Sequence, residues 1–544
     1  MPLTQDWSPP IFSMTRCLRV SRLALIAGLG LSLAAWTFPA GSHSLKRSCS
    51  DPCLKTNRVR NSQERTTQPQ RVTPPAVVIV LAPEVRPGGL LERFPQGSRL
   101  ARLDHSEAAP QCLTSGFFAA ADPRISFDGA RVLFAGKKTA ASPWQIWEMS
   151  VDGSGARQLT ECSGGCVKPA YLPRGEIVYT AFGRETAGKT ESSVGAKNDV
   201  RVSASVAGPN VGSQIWVSKL DGSNAHPITF GPGDFQVETV LRNGTILATA
   251  RSPLVPSHGL PADRELYTLR PDGSGLATFR CDHQHPAIRG QASELEDGAV
   301  VFVKAPLGSR KLGGELAWIR QGALHNAPLT SAPTVVLSPQ AASTDGVLVA
   351  RESPSRTGTP EKLAVYAFDA AAGRFIRPIY KDRELSAVEA VPVAAHEPPR
   401  WYRSTLDPDL HRGYFICLNA YLAEGMPQGR IAATLARVRV LALDAATQKE
   451  SLLGEAPIEA DGSFYIAVPP DQPIRFEVLD AAGRVVRSQR SWIWSRSGDE
   501  HGCVGCHEDR NLAPENRWPL ALRKMDNPVH LETGKHKSIQ ASHP

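Results

Sequence analysis

The sequence lacks the signatures of several functional classes, and each absence narrows what the protein can do. It contains no P-loop and no dinucleotide-binding fingerprint, so a nucleotide-dependent enzyme has no support. It shows no nucleophile–base constellation of the kind that hydrolases use. The formal charge of +8 is modest for 544 residues, and no basic stripe with interleaved aromatic residues is present. Nucleic-acid binding is therefore not expected.

The apolar run at the N-terminus is too short for a comfortable membrane span. Arg16, Arg19 and Arg22 precede an apolar segment over 23–38, which small residues follow. A transmembrane helix needs about 20 apolar residues, so the pattern predicts a signal peptide over 1–42. We expect an exported, periplasmic protein whose only membrane contact would be this leader if it stays uncleaved.

A CxxCH box lies near the C-terminal end, with Cys503, Cys506 and His507 as its chemical groups. This box is the attachment signature of c-type haem. Two thiols about one helical turn apart can each form a thioether with a haem vinyl group, and the adjacent imidazole can then bind the iron. No second CxxC is present for a zinc site, and no βαβ context indicates a thioredoxin-like disulfide. The box predicts haem c, with His507 as the proximal iron ligand.

Two side chains after the box are candidates for the sixth iron ligand. Met525 and His530 lie within reach of a chain that turns back towards the haem, and each is equally well explained as a surface residue. The tail that carries them is interrupted by proline and has little apolar material, and ordering it costs about 1–2 kcal/mol per residue in backbone entropy. We therefore expect the distal side of the iron to be open or weakly held.

The cysteine content also fits an oxidising compartment. Of ten cysteines, Cys17 leaves with the leader and two belong to the box, so an odd number remains and at least one thiol stays unpaired. Cys162 and Cys166 are the best local disulfide candidates because two glycines between them let the loop close. The more specific alternative is that these two cysteines bind a metal ion. The other cysteines are Cys49, Cys53, Cys112, Cys281 and Cys417.

The chain repeats itself from about 120 to 385, within a domain that we place at 75–398. Each unit has an apolar strand with a tight turn, a second strand, and a further strand that ends in a polar turn. Three of these turns read Asp-Gly-Ser, beginning at Asp152, Asp221 and Asp272, and a polar insertion over 183–212 lengthens one unit. Glycine supplies the positive φ that such hairpin turns need, and aspartate tolerates it.

The repeat predicts a mostly β fold with a propeller. Five units are clear, and strands from 76–103 and 387–393 can close a sixth. Four short strands per unit around a shared axis leave only short, protected sheet edges. The pattern resembles the six-bladed propeller repeats of the TolB type.

A second module follows the proline-containing boundary at 397–400. Short alternating strands with Asp-Gly and Ala-Gly turns over 411–490 predict a small antiparallel β-sandwich. This sandwich leads directly into a c-type haem segment over 491–530. The polar stretch 43–74 is predicted to be a flexible linker, and 531–544 a disordered tail.

The order of propeller, sandwich, tryptophan-containing strand and CxxCH box resembles the hydrazine synthase alpha subunit family. The resemblance covers roughly 115–530, and its most specific parts are 461–464, 491–494 and the box. It implies a c-type haem in the middle domain, beside the propeller. The residues that inherit the attachment roles are Cys503 and Cys506, and His507 inherits the role of the box histidine.

The sequence departs from that family in two respects. Family members continue into a further domain with a second haem, whereas only 508–544 follow the box here, so we expect a single haem. In the hydrazine-forming type, a tyrosine just after the box is a haem ligand. Here no tyrosine follows Tyr465, and Asn511 stands four residues past His507. Hydrazine synthesis is therefore not predicted.

Two classes of function remain open from the sequence. The first is an exported mono-haem c-type cytochrome that transfers electrons with a redox partner protein, or a haem-dependent oxidoreductase acting on a small nitrogen species. The second is a haem-free propeller scaffold that binds a partner protein, with the box as a disulfide. The sixth iron ligand separates electron transfer from ligand chemistry, because a firm histidine or methionine closes the iron.

Overall fold

The computed structural model describes only part of the sequence, and all of this part lies in one compact unit, residues 71–544. The leader, the linker over 43–74, most of the insertion over 183–212, and both Cys506 and His507 lie outside the described residues. The described residues are 76–104, 109–183, 212–251, 264–279, 287–307, 309, 312–321, 323, 327–330, 335–342, 346–352, 362–423, 431–444, 447, 449–489, 491–505 and 517–532.

Six antiparallel sheets of four strands each form a β-propeller. In chain order the strands are β1 (Val77–Ala82), β2 (Arg99–Leu103), β3 (Gln111–Cys112), β4 (Ala119–Ile125), β5 (Arg131–Lys137), β6 (Gln145–Ser150), β7 (Arg157–Gln158), β8 (Cys166–Leu172), β9 (Glu176–Ala181), β10 (Gln214–Lys219), β11 (His226–Pro227), β12 (Phe235–Val240), β13 (Ile246–Arg251), β14 (Arg264–Leu269), β15 (Ala277–Thr278), β16 (Ile288–Glu294), β17 (Val300–Ala305), β18 (Glu315–Ile319), β19 (Ala327–Pro328), β20 (Val336–Ala341), β21 (Gly346–Glu352), β22 (Leu363–Asp369), β23 (Arg374–Tyr380) and β24 (Ser386–Pro392).

Blades 1 to 5 each use four consecutive strands, starting at β4, β8, β12, β16 and β20. A single parallel bridge, between Arg264 and Ile288, connects blades 3 and 4. The first strands of neighbouring blades contact one another in a closed cycle that β24 completes. The six-bladed, mostly β fold predicted from the sequence is therefore confirmed.

Blade 6 closes the ring by joining the two ends of the propeller segment. Strand β24 pairs antiparallel with β1, for example Leu81 with Ala387, and β2 and β3 follow outwards. Every residue of the apolar strand Val77–Ala82 is buried, as expected for a strand that has neighbours on both sides and on both faces. The predicted closure of the sixth blade is confirmed.

The Asp-Gly-Ser turns adopt the predicted geometry. Gly153, Gly222 and Gly273 have φ values of 89°, 82° and 84°. In the first turn, the Oδ1 atom of Asp152 accepts hydrogen bonds from the backbone N–H and hydroxyl of Ser154, at 2.8 and 2.7 Å. These hydrogen bonds, chiefly the one from the hydroxyl, lower the pKa of Asp152. The motif is therefore a local turn signal that needs no tertiary contact.

Each of the six innermost strands carries a β-bulge at a polar residue. Five of these residues have left-handed backbone conformations with φ between 49° and 55°, and Glu238 is the exception. A bulge leaves one residue out of the strand pairing and redirects its side chain. The six bulge residues, which we call the axial ring, are Asp122, Lys168, Glu238, Gln291, Ser338 and Glu389.

Side chains of the axial ring bind the next blade. The Oε2 atom of Glu389 accepts from the backbone N–H of Asp122 at 2.8 Å. The Oδ2 atom of Asp122 accepts from the backbone N–H of Lys168 at 3.1 Å. The ammonium of Lys168 then donates to Oε2 of Glu238 at 2.9 Å. Glu389, Asp122 and Lys168 thus each satisfy a polar group of the next blade in a buried position, where an unsatisfied group is costly.

The same pattern continues on the other side of the ring. The Oε2 atom of Glu238 also accepts from the backbone N–H of Ala292 at 3.3 Å. The Oε1 atom of Gln291 accepts from the backbone N–H of Ser338 at 2.6 Å. The inter-blade contacts therefore combine apolar packing with side-chain-to-backbone hydrogen bonds that fix the position of each blade.

Lys168 and Glu238 form a buried ion pair within this ring, with side chains 9% and 3% exposed. Burial raises the pKa of Glu238, but the charge and hydrogen bond of Lys168, together with a hydrogen bond from Thr249, outweigh burial and lower it. Glu238 is therefore ionised at neutral pH. Its charge depends on Lys168 as the compensating partner.

The second module is a sandwich of two four-stranded sheets. Its strands are β25 (Gly413–Asn419), β26 (Leu435–Leu443), β27 (Glu450–Pro457), β28 (Phe464–Val468), β29 (Ile474–Asp480), β30 (Val485–Ser488), β31 (Glu500–Gly505) and β32 (Val529–His530). One sheet has the order β27-β26-β29-β30 and the other β31-β25-β28-β32. The central pairs are antiparallel as predicted, and two short strands, β31 and β32, add parallel at the edges. A 3-10 turn at Leu520–Leu522 precedes β32.

The segment 393–412 connects the two modules and runs along the propeller. The backbone N–H groups of His396 and Arg400 donate to the carbonyl oxygens of Phe127 and Arg242, both at 2.9 Å. These carbonyls lie in turns between the first two strands of blades 1 and 3. The connection is therefore an ordered strap along part of the propeller.

We predict that Lys168→Met lowers the free energy of unfolding by about 3–5 kcal/mol, because it leaves the Glu238 carboxylate buried without its partner. Adding Glu238→Gln should recover part of this loss, since the amide oxygen can still accept the hydrogen bond from Thr249. Urea unfolding measures both effects. Methionine is unbranched like lysine and nearly as long. Both residues have a Cβ atom, so the substitution does not change the backbone strain at this positive φ.

The matched control for this prediction is Arg320→Met, which breaks a half-exposed ion pair with Asp297. It should change the free energy of unfolding by less than about 1 kcal/mol. Equal effects of Lys168→Met and Arg320→Met would show that the axial ring does not depend on the buried pair.

Candidate functional site

The CxxCH box begins on an edge strand of the sandwich. Cys503 lies in β31, which pairs on one side with β25 and has no strand on its other side in the described residues. Its side chain is partly buried and packs against the sandwich core. Cys506 and His507 lie outside the described residues, so the structure places only the first attachment residue of the box.

The face of β31 that carries Cys503 also carries His501, because strand residues two apart point to the same side. The His501 ring stacks on the buried Phe415 ring, with centroids 4.9 Å apart and planes at 14°. Its Nε2 atom lies 2.7 Å from Oδ2 of Asp499. Burial raises the pKa of Asp499, but the contact with His501 outweighs burial and lowers it. Sequence reasoning did not assign His501 this position.

Gly505 is the last described residue of the box, and its backbone packs closely against the turn that contains Leu422. It pairs with Asn419 at the end of β25. A Cβ atom at this position would lie 2.6 Å from the carbonyl oxygen of Leu422, a distance that real structures do not tolerate. Glycine between the two cysteines of the box is therefore required by close backbone packing.

The Asp461-Gly-Ser turn connects this corner to the segment after the box. The Oδ2 atom of Asp461 accepts from the backbone N–H of Leu520, and Oγ of Ser463 accepts from that of Ala521, both at 2.9 Å. Burial raises the pKa of Asp461, but hydrogen bonds from Ser463 and the backbone of Leu520 outweigh it and lower the pKa.

Gly462, inside this turn, packs against the turn that ends β25. A Cβ atom at Gly462 would lie 2.4 Å from Oδ1 of Asn419 and 2.8 Å from the ring of Tyr421. Because Asn419 is also the partner of Gly505, the chain entering the box and the chain after it are held at one corner of the sandwich.

The two candidate distal ligands lie away from Cys503. Met525 is fully exposed in a turn. His530 lies in β32, at the opposite edge of the sheet from β31, and pairs with Ala467. Ala467 in turn pairs with Tyr414, whose side chain points to the face opposite that of Phe415 and Cys503. The described structure therefore places neither candidate beside the first box cysteine.

The tryptophan motif before the box docks the sandwich onto the propeller. Trp494 is 1% exposed and belongs to an apolar cluster built mainly from blades 2 and 3. Its ring makes edge contacts with Phe235 and Phe230, at centroid distances of 5.5 and 6.0 Å. Its Nε1–H donates to the carbonyl oxygen of Gly273 at 3.4 Å. The motif therefore has a structural role that the sequence resemblance did not specify.

Cys162 and Cys166 are both thiols in the structure. Cys166 is buried beside the hydroxyl of Thr160, with 3.0 Å between Sγ and Oγ1. Burial, together with the neighbouring Cys162, raises the pKa of Cys166. The described residues contain no group of three or more His, Cys, Asp or Glu side chains placed to hold a metal ion. Within the same residues, no helix is long and apolar enough to cross a membrane.

The axial ring is the feature that sequence reasoning missed. A signal was present, because a polar residue followed by proline interrupts three otherwise apolar strands, at Asp122, Lys168 and Ser338. Proline within a strand commonly marks a bulge. The other three ring positions carry no such mark, so the ring as a whole appears only when the blades are brought together.

Comparison with known proteins relates part of this chain to one family. Residues 422–508 match the family described as hydrazine synthase alpha subunit middle domain. Hydrazine synthase subunit alpha of Kuenenia stuttgartiensis is 41% identical over 84 residues, which cover 15% of this chain and 10% of that protein. The alignment thus spans about a tenth of the relative's length. The resemblance to the hydrazine synthase alpha subunit family is confirmed.

Two solved structures are similar to this chain to different degrees. The structure of Kuenenia stuttgartiensis hydrazine synthase covers 82% of this chain and 71% of its own, with a TM-score of 0.68 and 18% identity. At that identity the likeness concerns the fold. TolB from Acinetobacter baumannii covers 58% of this chain and 66% of its own, with a TM-score of 0.40 and 14% identity.

We predict that Trp494→Ala lowers the free energy of unfolding by about 3–5 kcal/mol, because it leaves a cavity between the two modules. The strap over 393–412 should also become more sensitive to limited proteolysis as the sandwich loosens. Urea unfolding and a protease time course measure the two effects. Trp518→Ala is the matched control, since Trp518 is mostly exposed; equal behaviour of the two variants would contradict the docking role of Trp494.

Proposed function

We propose, from the confirmed relation to the hydrazine synthase alpha subunit middle domain, that this chain is an exported protein with one covalently attached c-type haem. Cys503 and Cys506 hold the haem as thioethers, and His507 is the proximal iron ligand. The observation that carries the proposal is the coincidence of two features: the family match over 422–508 ends at the box, and Cys503 is an accessible thiol in that domain.

Two features of the described part of the site fit a covalently attached haem: the chemistry of the Cys503 side chain and its position in the sheet. Cys503 presents a partly exposed thiol, which thioether formation requires. Strand β31 lies at a sheet edge and has no strand on its other side in the described residues, so that side leaves space for an attached group. When bound, the haem supplies an iron centre that changes its oxidation state by one electron.

The residues around Cys503 give the site a rigid wall. Phe415 is buried and holds the His501 ring by stacking, and Oδ2 of Asp499 lies 2.7 Å from Nε2 of that ring. The turn at Asp461 and the close packing of Gly505 hold the chain on both sides of the box. These contacts fix the chain around Cys503 at several points, and such support is what a functional site needs to hold its groups in place.

Electron exchange with a redox partner protein is the activity we propose, and redox chemistry on a small nitrogen species is its more specific form. Hydrazine formation is not included, because the hydrazine-forming type of this family has a ligating tyrosine just after the box, whereas no tyrosine follows Tyr465 in this sequence. The exposed position of Met525 and the position of His530 on the other sheet face support an iron whose distal side is open or weakly held.

The attachment is tested by expressing the protein with haem-maturation machinery. The parent should keep its haem through denaturing electrophoresis and acid extraction, because thioethers survive both. Cys503→Ser combined with Cys506→Ser should lose the haem, and Cys112→Ser, an exposed thiol in the propeller, should keep it. Haem that extracts freely from the parent contradicts covalent attachment, and a colourless parent supports the haem-free scaffold that binds a partner protein.

The state of the iron is tested by absorption spectra of the reduced protein with and without carbon monoxide. We expect carbon monoxide to bind readily. His507→Ala should change the spectrum strongly, whereas Met525→Ala and His530→Ala should leave it close to that of the parent. The opposite result would be a low-spin reduced spectrum that does not change when carbon monoxide is added. If Met525→Ala or His530→Ala then altered that spectrum, the substituted residue would be identified as a firm sixth ligand.

A further inference from the structure

A second cysteine lies directly beside the first cysteine of the box. Cys417, in β25, is the register partner of Cys503 in β31, and the two strands are parallel. Register partners on neighbouring strands point to the same face, and their Cα atoms lie about 4.8 Å apart. That separation falls within the range of roughly 4.4–6.8 Å that disulfides use. Both residues are thiols in the structure.

The two thiols differ in access to solvent. Cys417 is 2% exposed and belongs to the sandwich core, whereas Cys503 is partly exposed and packs against the same core from the edge strand. A reagent from solvent therefore reaches Cys503 first. Cys417 is then placed to react with whatever Cys503 carries.

We propose that Cys417 and Cys503 form a disulfide in the haem-free protein, so that Cys503 has two mutually exclusive covalent partners. One is the core thiol of Cys417. The other is the haem of the proposed function, and only this second alternative rests on that proposal. While the disulfide exists, the Cys503 sulfur is not available for a thioether, so a dithiol reductant must act before haem attachment.

The oxidant is a protein or small-molecule disulfide of the oxidising compartment. The Cys503 thiolate attacks one sulfur of that disulfide, and the other sulfur leaves as a thiolate. The Cys417 thiolate then attacks the Cys503 sulfur and displaces the remaining half of the oxidant. One sulfur–sulfur bond forms and one breaks. The two cysteines lose two protons and two electrons, and the oxidant becomes two thiols.

A disulfide within the box is the competing arrangement, and the strand geometry disfavours it. Residues from Cys503 to Gly505 are extended in β31, and an extended chain advances about 3.3 Å per residue. A Cys503–Cys506 bond requires the chain to turn back within these residues, which breaks their pairing with β25. The bond to Cys417 needs no such change.

The test uses the full chain, exported without haem-maturation machinery. Remaining thiols are alkylated under denaturing, non-reducing conditions, and proteolytic peptides are identified by mass spectrometry. We expect a cross-linked pair of peptides that contain Cys417 and Cys503. The matched control Cys112→Ser should leave this pair unchanged. A Cys503–Cys506 link, or an alkylated Cys417, overturns the proposal.

A second measurement keeps the test independent of how well a core variant folds. Dithiol reduction of the haem-free parent should lower its melting temperature, and the shift should disappear in Cys503→Ser, which changes a residue at the sheet edge. An identical shift in parent and variant would assign the effect to other cysteines and would contradict the proposal.

The haem-loaded protein separates this proposal from the proposed function. If haem is attached, Cys417 should become open to alkylation after denaturation, and Cys417→Ser should raise haem loading several-fold when the dithiol reductant is limiting. A Cys417–Cys503 link in a chain that never retains haem would refute haem attachment alone. Retained haem with no such link in the haem-free protein would refute the disulfide alone.

Discussion

Closure of the propeller around its axial ring is the constraint on which the rest of the structure depends. Six innermost strands meet, each with a polar bulge residue, and the side chains of five of these residues bond to the next blade. Buried polar groups are tolerated only when they are satisfied, and these are satisfied mainly by one another. The ring therefore requires all six blades, including the one built from both ends of the propeller segment. A chain missing β1 would leave the Glu389 blade without its second strand.

The closed propeller then serves as the surface on which the sandwich is fixed. The strap over 393–412 follows turns of blades 1 and 3 through backbone hydrogen bonds. Trp494 completes the docking by inserting between aromatic side chains of blades 2 and 3. A large aromatic ring contributes much contact area with few rotatable bonds, so one side chain holds the beginning of the segment that leads into the box.

The chemistry proposed for the chain is concentrated at the edge strand β31. An edge position leaves one side of the strand open for an attached group, and pairing with β25 fixes its other side. The same pairing places the Cys417 thiol beside Cys503. Under the two proposals, the edge strand links the box to the sandwich core, and the redox state of the compartment would decide whether the Cys503 sulfur bonds to Cys417 or to haem.

The sequence by itself determined the features that depend on neighbours along the chain. Asp-Gly-Ser turns, apolar strands and the spacing of the CxxCH box are local, so the six blades, the sandwich and the proposed attachment residues were predictable. Contacts between distant residues decided the rest. The axial ring, the insertion of Trp494, the pairing of Cys417 with Cys503 and the location of His530 on the far sheet face depend on strand register. Register is set by how whole sheets pack, and a shift of one residue turns every side chain to the other face.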